Sequence, residues 1–228
     1  MMDPNYHDII CFDVDSTLVT CEGVDWLADQ KGVGEQVRQL TQLSMDGVVL
    51  IDEVFQKKID ILAPSKKELQ AVGEHYLTCL TPGARELVSL LQQCNKELWL
   101  VTGGLHDAIV PLAKFLNISN IQSNTVFFDT NGDYTGIDPK NILTRADGKA
   151  TFVKNLDPTK SVAFIGDSVT DLATKPYVKT FIGFGGAVVR EKVKQNCEFY
   201  VSTKNMLSLI DLLLTSEEKI NLTTTTAL

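Results

Sequence analysis

The 228-residue sequence is poor in the soft and basic ligands that many sites use. It has three histidines, two tryptophans and five cysteines. Cys11, Cys21, Cys79, Cys94 and Cys197 are odd in number, scattered and without a CxxC pair. They read as buried or incidental thiols of a reducing cytoplasm, and neither a disulfide frame nor a zinc site is expected. Basic charge is also lacking: the formal net charge is −8, so neither nucleic acid nor an anionic membrane surface is an expected partner. No apolar run reaches the length of a membrane span, and Met206–Leu214 is short and amphipathic. The first residues carry no basic and apolar leader pattern, so a cytoplasmic location is expected. The tail from Thr215 to Leu228 is polar and is expected to fray.

What is present is a core-forming chain, 44% hydrophobic and 22% charged. That suits one globular unit with a possible inserted subdomain. Ile9-Ile10-Cys11-Phe12 reads as a short buried strand. Asp13-Val14-Asp15-Ser16-Thr17 follows it. Spacing of two on an extended strand puts Asp13 and Asp15 on one face, where two carboxylates repel without a cation. An oxygen-only donor set favours Mg²⁺. An Asp-rich turn that merely ends a strand reads the same way.

Residues 24 to 78 hold helical stripes and no strand pattern. One stripe runs through Trp26, Leu27, Val33, Val37, Leu40 and Leu43, and a second through Ile51, Val54, Phe55, Ile59 and Leu62. Ser65-Lys66-Lys67-Glu68 is a capping box that opens a third helix. Thr81-Pro82 predicts an N-cap and first helical position. Strands are then predicted at 97–101, in a hairpin turning at Asn131-Gly132, at 161–165, at 180–183 and at 199–201, with a last helix over 205–214. The alternation predicts an α/β fold, a doubly wound, Rossmann-like parallel sheet core with a small inserted helical cap. The core is expected at 1–22 and 79–228, the cap at 23–78.

Right-handed crossovers bring the strand-end loops to one edge. That edge gathers Asp13 and Asp15, Thr102-Gly103-Gly104, Lys149 at a helix start, and Asp167 with Asp171. Phosphoryl transfer from a monoester needs these groups. Asp13 would be the nucleophile and Asp15 the general acid and base. Mg²⁺ would be held by Asp13, a backbone carbonyl near Asp15, and Asp167. Thr102 and the N–H groups of the Gly103-Gly104 turn would hold phosphate oxygens. Lys149 would neutralise transition-state charge, and Asp171 would orient Lys149 or a metal-bound water. Taken singly, Thr-Gly-Gly is also a simple turn, Gly-Asp-x-x-x-Asp a helix start, and a lone lysine a solvent-facing residue.

The ordered set DVDST…E, TGG, GK and GDSVTD resembles the haloacid-dehalogenase-like phosphatases, and among them the phosphoserine phosphatases. FIGFGGAVVREKV near the end is also similar to that family. The resemblance runs from about Ile9 to Leu214. It implies Mg²⁺-dependent hydrolysis of O-phosphoserine, a small phosphate ester, through an aspartyl-phosphate. It also implies that Glu22 meets the substrate's ammonium group and that Thr170 faces the substrate. Departures from the family pattern fall in the cap. Asp46 follows Met45 where a small residue is common, Ile51 stands where a phenylalanine covers the substrate, and Lys58 stands where an arginine grips its carboxylate. Lysine supplies charge without the planar fork, and a surface lysine on an amphipathic helix is the alternative for Lys58. Other readings are the same chemistry on another small phosphorylated metabolite, a phosphotransferase to an alcohol such as homoserine, and a binding module that has lost turnover. The sequence leaves monomer and homodimer open.

Overall fold

A computed structural model describes residues 5–45 and 51–225, with side chains for 5–40 and 53–222. Asp46 therefore lies outside the described residues, as do the side chains of Met45 and Ile51. The first strand, β1 (Ile9–Phe12), is buried along its whole length. Its side chains alternate between two apolar clusters, Ile10 and Phe12 in one, Ile9 and Cys11 in the other. A strand buried on both faces must be central, and a parallel sheet accepts it there.

Four helices follow: α1 (Gly23–Gln30), α2 (Gly34–Met45), α3 (Ile51–Leu62) and α4 (Lys66–Thr78). Two helices thus occupy the first predicted stripe, because Gly32, with φ of +70°, breaks it. The Ser65 capping box forms as predicted, with the Glu68 N–H donating to Ser65 Oγ. Leu69, Val72, Gly73 and Tyr76 are the buried face of α4, which recurs at helical spacing. Gly73 lets α4 approach the helix that carries Pro111, since a Cβ there would lie 2.5 Å from the Pro111 ring.

The chain then builds α5 (Ala84–Gln93), β2 (Glu97–Leu105), α6 (His106–Phe115) and β3 (Asn120–Asn124). A small antiparallel pair follows, β4 (Val126–Phe128) with β5 (Tyr134–Ile137). After it come α7 (Gly148–Lys154), β6 (Val162–Gly166), α8 (Val169–Leu172), β7 (Thr180–Phe184), α9 (Glu191–Asn196), β8 (Phe199–Val201), α10 (Ile210–Leu213) and α11 (Ser216–Thr225). The main sheet has six strands in the order β3-β2-β1-β6-β7-β8, all pairings parallel. From β1 the chain builds outward through β2 to β3 and then returns to β6 on the other side of β1, so the crevice where such sheets bind ligands lies at the carboxyl end of β1. The doubly wound α/β expectation holds.

Several local expectations do not. Thr81 does not cap a helix: α5 starts at Ala84 behind Gly83, whose φ is +77°. Thr81 Oγ1 instead donates to the Thr17 carbonyl at 2.6 Å, tying the returning chain to the β1 loop. Thr102-Gly103-Gly104 is the end of β2 rather than a turn beyond it. β3 has a polar sequence with no alternation, so its strand character comes from pairing with β2. The last predicted helix is a 3₁₀ turn (Met206–Leu209) running into α10. The tail does not fray at Thr215. Thr215 and Glu218 form a capping box, Glu218 N–H to Thr215 Oγ1 at 3.1 Å and Thr215 N–H to Glu218 Oε2 at 2.9 Å. Glu218 also pairs with the buried Lys96, docking α11 on the core.

Candidate active site

β1 stops at Phe12, and the backbone turns at once. The Val19 N–H closes a five-residue wide turn on the Val14 carbonyl at 3.1 Å, with Ser16 at a φ of +55°. Asp13 and Asp15 therefore do not share a strand face, and the turn aims them at different partners. Asp13 is 5% exposed, and its Oδ1 lies 2.7 Å from Lys149 Nζ. Asp15 Oδ1 accepts from the Gly23 N–H at 2.8 Å and from the Tyr76 hydroxyl at 2.7 Å. With Oδ1 taken twice, Oδ2 remains to carry a proton; it lies 3.5 Å from where a Cβ on Gly104 would stand.

Lys149 is the second residue of α7, and Gly148 before it lets the Ile142 backbone pass close by; a Cβ there would lie 2.1 Å from the Ile142 carbonyl oxygen. Its ammonium bridges Asp13 and Asp171, the latter at 2.6 Å. Asp171 is held in turn by Ser168, whose N–H and hydroxyl both donate to Oδ2, at 2.9 and 2.6 Å. Gly166 makes room for it, since a Cβ there would lie 2.3 Å from Asp171 Cγ. Carboxylate oxygens of Asp13, Asp167 and Asp171 lie within 4.8 Å of one another, all three residues buried. The Asp15 side chain is outside that group. Its expected part in the metal site came through a backbone carbonyl, and Asp171 is the third carboxylate instead.

The charges explain the electrostatics. Burial, then Asp171, raises Asp13 well above the ordinary carboxylate range, against the pull of Lys149. Burial and Asp171 push Asp167 up to about 6, despite its contact with Arg190. Burial also raises Asp15, outweighing its two hydrogen bonds. For Lys149 burial opposes the charge, but Asp13 and Asp171 win and hold its pKa above the ordinary value. Three carboxylates against Lys149 and Arg190 leave surplus negative charge in a dry site. An all-oxygen donor set with that surplus fits a hard divalent cation.

Thr102 is 1% exposed, and its Oγ1 accepts from the Gly104 N–H at 3.0 Å, leaving the hydroxyl hydrogen free to donate. A Cβ on Gly103 would meet nothing nearer than 4.0 Å, so the backbone there is open to approach. Thr170 Oγ1 is 2.8 Å from Ser168 Oγ, beside Asp171. Glu22 receives the Ser16 hydroxyl at 2.6 Å and stands 3.6 Å from Arg190. Burial and Asp15 push it up to about 7, although 45% of its side chain stays exposed. Lys58, on α3, is half buried; burial lowers its pKa, opposed by the nearby charges of Asp25 and Glu22.

Three participants were not read from the sequence. Arg190 Nε donates to Asp167 Oδ2 at 2.6 Å and reaches Glu22 as well; its only signal was its place in the AVVREKV stretch. Tyr76 stands at helical spacing from Leu69 and Val72, a signal of core packing alone. Asn124 Nδ2 donates to the Gly103 carbonyl at 2.8 Å, steadying the glycine pair from a strand that left no sequence pattern.

A family model described as haloacid dehalogenase-like hydrolase matches residues 10–174. The phosphoserine phosphatases of Bos taurus and Homo sapiens are each 36% identical over 200 residues, covering 86% of this chain and 89% of theirs. The crystal structure of a phosphoserine phosphohydrolase-like protein from Francisella tularensis superposes with a TM-score of 0.76 at 29% identity, over 91% of this chain and all of that one. The matched segment spans every strand-end group from Asp13 to Asp171, and the chain belongs to the haloacid dehalogenase-like hydrolase family, as an enzyme of the phosphoric monoester hydrolase class.

Proposed function

We propose that the chain hydrolyses O-phosphoserine to serine and phosphate, with Mg²⁺, through a phosphorylated Asp13. The contact that carries this reading is Lys149 between Asp13 and Asp171, inside a buried carboxylate group. The substrate is supported by the names of the relatives and by Glu22 and Lys58, an anion and a cation on the side of the helical insertion.

An Asp13 oxygen attacks phosphorus, and the bond from phosphorus to the serine oxygen breaks. Asp15, protonated at Oδ2 by virtue of its raised pKa, gives that proton to the departing alkoxide. Asp15 then takes a proton from water as the water attacks the aspartyl-phosphate, and phosphate leaves with Asp13 restored. Lys149, the Thr102 hydroxyl and the Gly103 N–H hold the phosphoryl oxygens, while the Gly104 N–H fixes the Thr102 oxygen. Asp13, Asp167 and a backbone carbonyl near Asp15 would hold Mg²⁺, with Asp171 alongside. When bound, the ion offsets charge so that an anionic nucleophile can approach an anionic ester. Glu22 takes the ammonium of the substrate, and Lys58 its carboxylate.

In this reading residues 1–22 and 79–228 are the catalytic core and 23–78 a cap that excludes water. The reducing cytoplasm fits the five free cysteines. Lys58 offers a point charge rather than a fork, which favours some tolerance toward other small phosphate esters. Steady-state kinetics on O-phosphoserine, with and without Mg²⁺, test the reading together with Asp13→Asn. Activity is expected to need both Mg²⁺ and Asp13. Full turnover in chelator, or by the Asp13→Asn variant, would overturn the mechanism; a panel preference for esters lacking an amino-acid head would overturn the substrate.

A further inference from the structure

Folding also gathers three side chains that the reaction does not use. Cys21 lies where the chain leaves the core, Cys79 where it returns, and His75 on the last turn of α4. One ligand atom from each lies within 4.8 Å of the others. Two cysteines that look incidental in the sequence are thus neighbours. Cys79 Sγ is 3.4 Å from His75 Nε2. A tetrahedral zinc ion, with bonds of about 2.3 Å to sulfur and 2.0–2.1 Å to nitrogen, separates such a pair by about 3.5 Å. The two residues are four apart at a helix end, so they project to one side. Trp26 stacks on the His75 ring at 4.5 Å and 13°, fixing its plane. All three are partly exposed, so an ion can reach them. Burial, then the Cys79 thiol, holds the Cys21 thiol above its ordinary pKa, so a bound cation must displace its proton.

The position of the group gives it a consequence. The two linkers between insertion and sheet run side by side, bridged at Val19 and Leu80. The Thr20 N–H donates to the Cys79 carbonyl at 2.7 Å, and the Thr81 N–H to the Leu18 carbonyl at 2.9 Å. We infer that Cys21, His75 and Cys79 form a binding site for a thiophilic divalent cation of the zinc type, and that its occupancy clamps the two linkers together. Binding breaks two S–H bonds, forms two metal–sulfur bonds and releases two protons. Three protein ligands leave a fourth position to water, so the ion exchanges. Sulfur donors reject Mg²⁺ while the aspartate group suits it, so donor chemistry sorts the two ions. The slowing of turnover by the clamp rests on the proposed function; the binding does not.

The test uses the full chain, reduced and freed of metal by chelator, with Co²⁺ as probe. One equivalent of Co²⁺ is expected to give a thiolate-to-metal charge-transfer band in the near ultraviolet, displaced by Zn²⁺. The band should persist in Asp13→Asn and vanish in both Cys21→Ser and Cys79→Ser, with their metal-free circular dichroism unchanged. His75→Ala should weaken binding at least tenfold. Absence of the band, its survival in both serine variants, or a Cys21–Cys79 disulfide found by non-reducing mass analysis would overturn the site. At saturating Mg²⁺, Zn²⁺ should slow the wild type at a tenfold lower concentration than it slows Cys79→Ser. Equal inhibition of the two would overturn the clamp. A chain that shows the cobalt band but no turnover on any phosphate ester refutes the proposed function and leaves the metal site standing.

Discussion

The hydroxyl of Tyr76, on the helical insertion, donates to Asp15 Oδ1 at 2.7 Å, on the sheet side of the site. This bond stabilises the carboxylate form, against the burial that favours the acid. Tyr76→Phe removes a hydrogen bond that favours the charged form, and so raises the Asp15 pKa further. The turnover optimum is expected to move to higher pH. A pH–kcat profile checks this, and an unmoved or lowered optimum contradicts the assignment of Asp15 as the acid.

Lys149 is as important to stability as to the reaction. Replacing it with methionine leaves Asp13 and Asp171 buried without their shared cation, which costs about 3–5 kcal/mol. Urea unfolding should show this loss, with partial recovery when Asp171→Asn is added. The deficit should shrink toward acid pH, because the unpaired carboxylates then take up protons.

Gly166→Ala is expected to separate chemistry from folding. The new Cβ would stand 2.3 Å from Asp171 Cγ, so Asp171 must move and carry Lys149 with it. A shift of about 1 Å at the reacting groups costs about 100-fold in rate. The measurement is kcat alongside the melting temperature; a rate loss of less than about tenfold in a folded variant would refute the positioning argument.

Glu22 titrates at about 7 instead of its ordinary 4.5. Below pH 7 it is neutral and cannot hold an ammonium group; above pH 7 it can. KM for O-phosphoserine should therefore fall as pH rises from 6 to 8, and this slope should be absent in Glu22→Gln. A phosphate ester without an amino group serves as the comparison, since its own ionisation supplies the remaining pH dependence.

His7 is buried, with Nε2 2.8 Å from Thr180 Oγ1, and burial lowers its pKa from 6.5 to about 4. Between these values the unfolded chain binds the extra proton. The stability of the neutral buried ring is complete above pH 6.5 and is lost as pH falls through 4. Denaturant midpoints across that window should fall more steeply in the wild type than in His7→Asn, by up to about 3 kcal/mol.

The elements legible in the sequence are those whose neighbours hardly matter. β1 and β6 are continuous apolar runs, so their ends, and hence Asp13 and Asp167, could be placed without knowing the sheet. Lys149 was readable because Gly148 marks a helix start. Arg190 and Tyr76 could not be read, since each reaches its carboxylate only through tertiary packing. The Thr215–Glu218 capping box was overlooked because the threonine-rich residues beyond it suggested fraying, while its anchor, Lys96, is more than a hundred positions away. The pairing of Asp13 with Asp15 failed for a local reason. The periodicity of a strand was extended past its last residue, Phe12, into a wide turn that begins at Val14, between the two aspartates.

The Val19–Leu80 bridge closes the sheet-side scaffold beneath the inserted helices, so that departure and return of the chain are adjacent. A foreign module with closely spaced ends, grafted between those two residues, would leave Asp13, Asp167, Asp171 and Lys149 in place and would have to replace the two donors to Asp15, the Gly23 N–H and the Tyr76 hydroxyl. Descendants of such a scaffold would be free to exchange what they recognise while inheriting how they react.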